Sequence, residues 1–199
     1  MPNEHPTRAA LIATAVSLLD GRPLDEIRSD DVLEISGISK GSLYHHFNDF
    51  SELLNTALVF RFSLWVDRSI ELLTHVLETS TTKDEVFEGI ERVTELTQGP
   101  EGLPQRFERA RVLALAENNP LLARQLGDEQ ARLTNALAEL TREAIRRGFY
   151  RKDLDPVSVA LFIQAYSFGK VIDDISSERV EFLQWKPFIS GMLRRTLEA

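Results

Sequence analysis

The sequence contains no cysteine among its 199 residues, and it has only two methionines, two tryptophans and three tyrosines. Without cysteine, a disulfide framework, a thiolate metal site and a cysteine nucleophile are all excluded. No apolar run approaches the ~18 residues of a membrane span, so we expect no membrane segment, no secretory signal and a cytoplasmic protein. Basic residues are also scarce, with 23 Lys and Arg against 31 Asp and Glu and a net charge of −8. This acidic balance argues mildly against non-specific nucleic-acid binding.

Apolar residues recur every three or four positions along nearly the whole chain, and no segment alternates at period two. This periodicity predicts an all-α fold. The predicted helices cover about residues 7–19, 29–36, 40–47, 50–77, 82–97, 105–117, 121–147, 157–172 and 179–197. Glycine and proline mark the breaks between helices, among them Pro120, Gly148, Pro156 and Pro187. The long fourth helix predicts two regions, an N-terminal domain of about residues 1–50 and a helical C-terminal domain of about residues 51–199.

The segment from residue 29 to residue 47 carries the strongest functional signal. Two short predicted helices flank a turn that contains Gly37, which is the layout of a helix-turn-helix. Glycine accepts a positive φ in such a turn. Ser29 and Ser39 are predicted to cap the first and second helix, with Ser39 accepting from a backbone N–H near Ser42. The residues expected to form the small core shared by the two helices are Val32, Ile38, Leu43 and Phe47.

The second short helix is rich in hydrogen-bonding side chains. On its solvent side we expect Lys40, Ser42, Tyr44, His45 and His46, while Gly41 allows a close approach of the backbone to DNA. His45 and His46 are adjacent, so on a helix they point ~100° apart and do not chelate one metal ion. No metal-ligand spacing, glycine-rich phosphate loop or catalytic set occurs in the sequence, so we expect no metal, no cofactor and no enzymatic activity.

The stretch from residue 36 to residue 47, SGISKGSLYHHF, resembles the recognition segment of the TetR (tetracycline-repressor-like) family of transcriptional regulators. The preceding predicted helix and the following Leu53 and Leu54 fall at the spacing of that family. The resemblance implies a homodimeric, all-α DNA-binding repressor. Its C-terminal domain would dimerise and bind a small-molecule inducer.

The same resemblance assigns roles to individual residues. Tyr44 and His46 would contact DNA phosphates, and Arg8 and Ser29 would contact the DNA backbone from neighbouring helices. Lys40, Gly41 and Ser42 would lie at the start of the recognition helix, facing the groove. Ser39 and His45 complete the predicted set of DNA-binding residues. Two positions depart from the family pattern: Phe50 replaces a usual lysine, and Leu33 replaces a usual small residue.

Residues 157–172 form an unusually apolar segment, with 11 apolar residues of 16 and a single charge at Lys170. A helix that is apolar nearly all round is buried on two sides. We assign one side to the domain core and the other to a second subunit, with residues 179–197 alongside. A central core helix of a monomer is the alternative. A dimer would place two recognition helices ~34–36 Å apart and read a pseudo-palindromic operator.

Aromatic residues of the C-terminal region are candidates for an effector pocket, although a plain apolar core is the alternative. Arg109, Arg111 and Gln164 are candidate polar anchors, and we select Trp65, Arg111 and Tyr166 as ligand-binding residues. Three classes of function therefore compete. The first is an effector-responsive DNA-binding regulator, the second is a helical protein-interaction module that has lost DNA affinity, and the third is an all-α enzyme. The helix-turn-helix segment favours the first.

Overall fold

A computed structural model describes residues 5–199. Ten α-helices lie within this range, with no β-strand among the described residues beyond an isolated bridge between Tyr150 and Glu198. The helices are α1 (Pro6–Gly21), α2 (Ser29–Ser36), α3 (Lys40–His46), α4 (Phe50–Thr79), α5 (Lys83–Gln98), α6 (Leu103–Leu115), α7 (Pro120–Arg146), α8 (Pro156–Gly169), α9 (Val171–Asp174) and α10 (Phe182–Leu197). None of the described helices is both long enough and apolar enough to cross a membrane.

Internal packing divides the chain into two compact units, Met1–Leu64 and Trp65–Ala199. The boundary falls within α4, whose 30 residues extend over about 45 Å at ~1.5 Å per residue. In the first unit, α1, α2, α3 and the start of α4 surround one apolar core. Its fully buried members are Leu11, Ala15, Val32, Leu43, Leu53 and Ala57.

The second unit is a bundle of longer helices. α7 packs along α8, α10 packs on α5, and α6 contacts α9. Its main core combines residues of α5, α7, α8 and α10 with two aromatic residues that follow α7, Phe149 and Tyr150. The turn after α7 uses Gly148 at a φ of 76°, which agrees with the predicted glycine terminator.

Three prolines predicted to separate helices occupy different positions in the structure. Pro120 and Pro156 each occupy the first position of a helix, where the missing N–H costs nothing. Pro187 was predicted as a break but lies inside α10. It follows the first turn, so only one intrahelical hydrogen bond is lost. The prediction of a separator at this proline is therefore wrong.

The predicted helix over residues 157–172 is interrupted. α8 ends at Gly169, and the short α9 begins at Val171. The break coincides with a cluster of buried charges, because the Lys170 ammonium pairs with Asp173 and lies 3.7 Å from Asp174. The next helix begins at Phe182, three residues later than predicted.

Candidate DNA-binding surface and ligand cavity

α2 and α3 are joined by a tight turn of three residues. Gly37 adopts a φ of 67°, and its N–H donates to the Leu33 carbonyl at 3.0 Å. Ser39 then accepts a hydrogen bond from the Ser42 N–H through its Oγ, at 3.2 Å, which begins α3. The predicted roles of Gly37 and Ser39 are thus confirmed. The turn is that of a helix-turn-helix.

The first helix of the pair begins differently from the prediction. Ser29 is the first residue of α2 and does not cap it. Instead, the Arg28 N–H donates to Asp31 Oδ2 at 2.8 Å, so a carboxylate one turn into the helix satisfies the backbone. This hydrogen bond makes the largest contribution to lowering the pKa of Asp31, so the carboxylate stays ionised.

A shared core fixes α3 against its neighbours. Val32 and Leu43 are fully buried, Phe47 is nearly so, and Ile38 packs against them, as predicted. Leu43 and Phe47 are four residues apart and so lie on one side of the helix. The opposite side of α3 is therefore turned away from the core.

The outward side of α3 carries the predicted DNA-contacting residues. Tyr44 is 44% exposed. Lys40, Gly41 and His45 are also exposed, whereas Ser42 and His46 are half-buried. The nearest atom to a Cβ added at Gly41 would be Ser39 Oγ at 4.0 Å, so this backbone is open to an approaching group. The result is a short helix face with hydroxyl, imidazole and ammonium groups.

Arg8 and Ser29 lie on the neighbouring helices α1 and α2. The Arg8 guanidinium lies over the Phe47 ring, 5.0 Å from its centroid, and Ser29 is half-buried at the start of α2. Phe50 and Leu33, the two departures from the TetR pattern, both pack against the core of this unit. Phe50 therefore contributes packing at the position where the family usually has a cation.

Charge on this unit is low for a DNA-binding surface. Residues 5–60 contain only four basic residues, and one of these, Arg22, pairs with Asp31 at 3.1 Å. Arg28 and Lys40 are exposed. Backbone and hydroxyl donors must then supply much of any phosphate contact.

Three histidine rings lie close together at this surface. The His46 ring is 4.7 Å from the His5 ring and 5.2 Å from the His45 ring, measured between centroids. Partial burial, followed by the nearby His5, His45 and Arg8, lowers the pKa of His46 below its usual 6.5. His46 is therefore neutral at pH 7 and takes up a proton only in more acidic solution.

The second unit contains a cavity of about 100 Å³. It is lined by apolar residues of α4, α5, α7 and α8, and by aromatic residues that include Trp65, Tyr150 and Tyr166. Trp65 and Tyr166, both predicted ligand-binding residues, thus lie together at this cavity. Arg111 is exposed and is not among the lining residues; Arg109 is. Positions two apart on a helix point to nearly opposite sides, so α6 directs Arg109 inward and Arg111 outward.

Two arginines of α6 reach the cavity but have different partners. Arg106 forms a buried, bidentate pair with Asp174, at 2.5 and 2.8 Å, and donates to the Thr97 and Gly99 carbonyls. Burial acts to raise the pKa of Asp174, but Arg106 and its neighbours outweigh it and lower the pKa. Sequence reasoning missed this pair, because its two members lie 68 residues apart and no local pattern links them.

Arg109 has no acidic partner among residues 5–199. Its guanidinium stacks on the Trp65 ring at 3.7 Å and lies 5.4 Å from the Phe168 centroid. Its buried Nε–H has no hydrogen-bond acceptor among the described residues. Burial lowers the pKa of Arg109 to about 10, so the side chain remains charged at neutral pH.

A contiguous part of the sequence, from α8 to α10, exposes many large apolar side chains. The most exposed are Leu161 at 63%, Ile172 at 73%, Ile175 at 72%, Leu183 at 86% and Phe188 at 57%. On α8, these alternate with buried residues such as Val159 and Ala160. Exposed apolar residues concentrated in this way are typical of a protein–protein interface.

Comparison with known proteins identifies transcriptional regulators of similar sequence and fold. No protein-family model matches the chain. UidR, a helix-turn-helix-type transcriptional regulator of Escherichia coli K12, is 23% identical over 174 residues, which cover 87% of this chain and 84% of UidR. A Mesorhizobium loti protein assigned to the TetR-family transcriptional regulators superposes with a TM-score of 0.74 at 16% identity, over 98% of this chain and all of its own. The chain has the fold of the TetR-family transcriptional regulators. The family resemblance seen in residues 36–47 is confirmed at the level of the fold.

A third similar protein carries a small molecule. It is assigned to the transcriptional regulators of Saccharomonospora viridis, and its structure was determined in complex with choline. It is 20% identical, with a TM-score of 0.69, over 96% of this chain and 97% of its own. Within residues 5–199, no group of three or more histidine and acidic residues is arranged to hold a metal ion.

Proposed function

We propose that this chain is a TetR-type transcriptional regulator of the cytoplasm that binds double-stranded DNA through α3. The observation that carries the proposal is the helix pair itself, with Gly37 and the Val32–Leu43–Phe47 core fixing α3 so that its polar face points outward. The similarity to UidR and to the TetR-type structures supports this function, and it supports a regulator rather than an enzyme.

In the proposed complex, the start of α3 enters the major groove and the end of α3 contacts the DNA backbone. Base edges are read by residues from Ser39 to Ser42 together with His45. Tyr44 and His46 contact phosphates, and Arg8 and Ser29 add contacts from α1 and α2. Phosphate contacts of this kind set the position of the protein, while base contacts give the specificity. The proposed DNA-binding domain is residues 1–50.

Residues 51–199 form the proposed dimerisation and effector domain. A second copy of the chain would cover the exposed apolar residues of α8 to α10, of which Leu161 is 63% exposed and Leu183 86% exposed. Two-fold symmetry would then place two copies of α3 in successive major grooves, ~34–36 Å apart, on a pseudo-palindromic operator.

The cavity lined by Trp65 and Tyr166 is the proposed effector site. An effector that binds better to the conformation with wrongly spaced recognition helices would shift the dimer away from DNA. The protein would then act as a repressor that a small-molecule inducer releases. The choline complex of the Saccharomonospora viridis protein supports a small-molecule site in this fold.

A protein-interaction module without DNA affinity is the second candidate. The charge balance favours it, because residues 5–60 carry four basic but eight acidic side chains. A mobility-shift assay on the DNA that flanks the gene separates the two candidates. We expect a specific shift that Lys40→Ala and Tyr44→Phe weaken and that Lys152→Ala, an exposed lysine of the other unit, leaves intact. If the parent protein gives no shift even at low salt, the interaction role is favoured instead.

A further inference from the structure

Arg109 is a buried cation with no counter-charge in the part of the chain that the structure describes. Its side chain is 9% exposed, and it lines the cavity of the second unit. Trp65 and Phe168 cover the faces of the guanidinium plane, but the buried Nε–H, which points along that plane, has no acceptor among the described residues. A buried donor without an acceptor is costly, and a buried charge is more so.

Arg106, one turn earlier on α6, shows what a satisfied guanidinium looks like in the same environment. It donates four hydrogen bonds, two to the oxygens of Asp174 and one each to the carbonyls of Thr97 and Gly99. The two arginines share a helix face and a cavity, yet only Arg106 has a carboxylate. The missing partner of Arg109 is therefore to be sought in the cavity space that it borders.

The other lining residues favour an anion over a cation. No Asp or Glu is among the described residues that line the cavity. Gln164 is already engaged, accepting from Gln130 and donating to Thr134 and to the Ala160 carbonyl. The Trp65 ring, which is the surface that a quaternary ammonium would use, is covered by Arg109 at 3.7 Å.

The size and the remaining surface of the cavity define the rest of the ligand. A volume of about 100 Å³ accommodates roughly seven to ten water-sized groups, at ~10–15 Å³ for each. Tyr150 and Tyr166 add aromatic surface, and leucine, isoleucine and valine form most of the remaining wall. This volume and lining match a small aromatic acid.

We propose, building on the effector-binding role above, that the cavity takes a compact aromatic monocarboxylate whose carboxylate pairs with the Arg109 guanidinium. Arg109 is then the residue that selects an anionic effector, and the ring of the ligand lies among the aromatic and aliphatic side chains. A carboxylate at this position accepts two parallel N–H bonds and fills the role that Asp174 has for Arg106.

The experiment compares phenylacetate with phenylacetamide, which has nearly the same shape but no charge, by isothermal titration calorimetry in the absence of DNA. We expect phenylacetate to bind at least ~10-fold more tightly than the amide, because a hydrogen bond to a charged partner is worth about that factor. Choline is the cationic comparison and is expected to bind more weakly than the acid. Equal affinity for acid and amide, tighter binding of choline, or no saturable binding of phenylacetate would overturn the proposal.

Two variants test whether Arg109 is responsible for the preference for the acid over the amide. Arg109→Gln removes the charge inside the cavity and is expected to abolish the preference for the acid. Arg111→Gln removes a charge from the exposed side of the same helix and is expected to retain it. A preference that survives Arg109→Gln refutes the role of Arg109. If circular dichroism shows that Arg109→Gln is unfolded, the acid–amide comparison on the parent protein decides.

Because these titrations contain no DNA, they test the proposed ligand class independently of the proposed regulatory function. If the parent protein prefers the acid but gives no shift with any flanking DNA, the anion site is supported and the regulatory role is refuted. If the parent protein shifts DNA but binds the acid and the amide with equal affinity, the regulatory role is supported and the anion site is refuted.

Discussion

Operator binding by this protein should depend only moderately on salt, because few cations lie on the proposed DNA-binding unit. Within residues 5–60 the basic residues are Arg8, Arg22, Arg28 and Lys40. Arg22 is paired with Asp31 at 3.1 Å. We count Arg8, Arg28 and Lys40 as the cations that meet DNA, which is three in each copy of the chain and six in a dimer. Each neutralised phosphate contributes a slope of roughly −0.9 to a plot of log affinity against log salt concentration.

The expected slope is therefore about −5 for the dimer, which corresponds to an affinity loss of about a thousandfold between ~50 and ~200 mM salt. Lys40→Met removes one charge from each copy and should make the slope shallower by about 2. Tyr44→Phe removes an exposed hydroxyl group and leaves the number of basic residues unchanged. This variant should weaken binding with little change in slope.

Fluorescence anisotropy of a labelled operator duplex, titrated at a series of KCl concentrations, measures the slope for each protein. Lys152→Met serves as the matched control, because this lysine is exposed in the other unit and should leave the slope unchanged. A slope steeper than about −8 would refute the reasoning, since the described cations are too few to release so many counterions. A slope that Lys40→Met does not alter would show that the charge of Lys40 displaces no counterions from the DNA.

Three further predictions concern assembly, stability and pH. Leu161→Glu should convert a dimer into a folded monomer with no operator binding, whereas Leu121→Glu, on another exposed apolar residue, should remain dimeric in analytical ultracentrifugation. Asp174→Asn breaks the buried ion pair and should lower the free energy of unfolding in urea by about 3–5 kcal/mol, whereas Asp153→Asn, in an exposed pair, should have a much smaller effect. Because the folded-state pKa of Asp174 is lowered, its contribution to stability is present above pH 3.8 and is lost as the pH falls further. Operator affinity should be constant from about pH 8 to pH 7 and should rise only as the pH falls below 6.5, as His46 gains a proton, and His46→Gln should abolish the rise.

The sequence predicted best those features that depend on residues close to one another in the chain. The turn needed a positive φ, and Gly37 supplied it; α3 needed a cap, and Ser39 supplied it three residues before Ser42. The buried face of α3 followed from the spacing of Leu43 and Phe47. Interactions within four residues leave a local pattern, so they can be inferred without a tertiary structure.

Features that depend on distant residues were not predicted. The break between α8 and α9 coincides with the buried ion pairs of Asp174, one of them with Arg106, which lies 68 residues earlier. The choice between Arg109 and Arg111 depends on the rotation of α6 relative to the helices that pack on it. Sequence spacing shows that these two arginines point apart but not which of them points inward. The selection of Arg111 as a cavity residue failed for this reason.

The buried pair between Arg106 and Asp174 has a consequence for signalling inside the second unit. It connects the first turn of α6 to α9, and Arg109 is about one helical turn further along α6. α9 carries Ile172, and Ile175 follows it directly; both are more than two-thirds exposed. In the proposed dimer, a ligand that displaces Arg109 would therefore also displace α9 and the exposed Ile172 and Ile175, which would couple ligand binding to the contact between subunits.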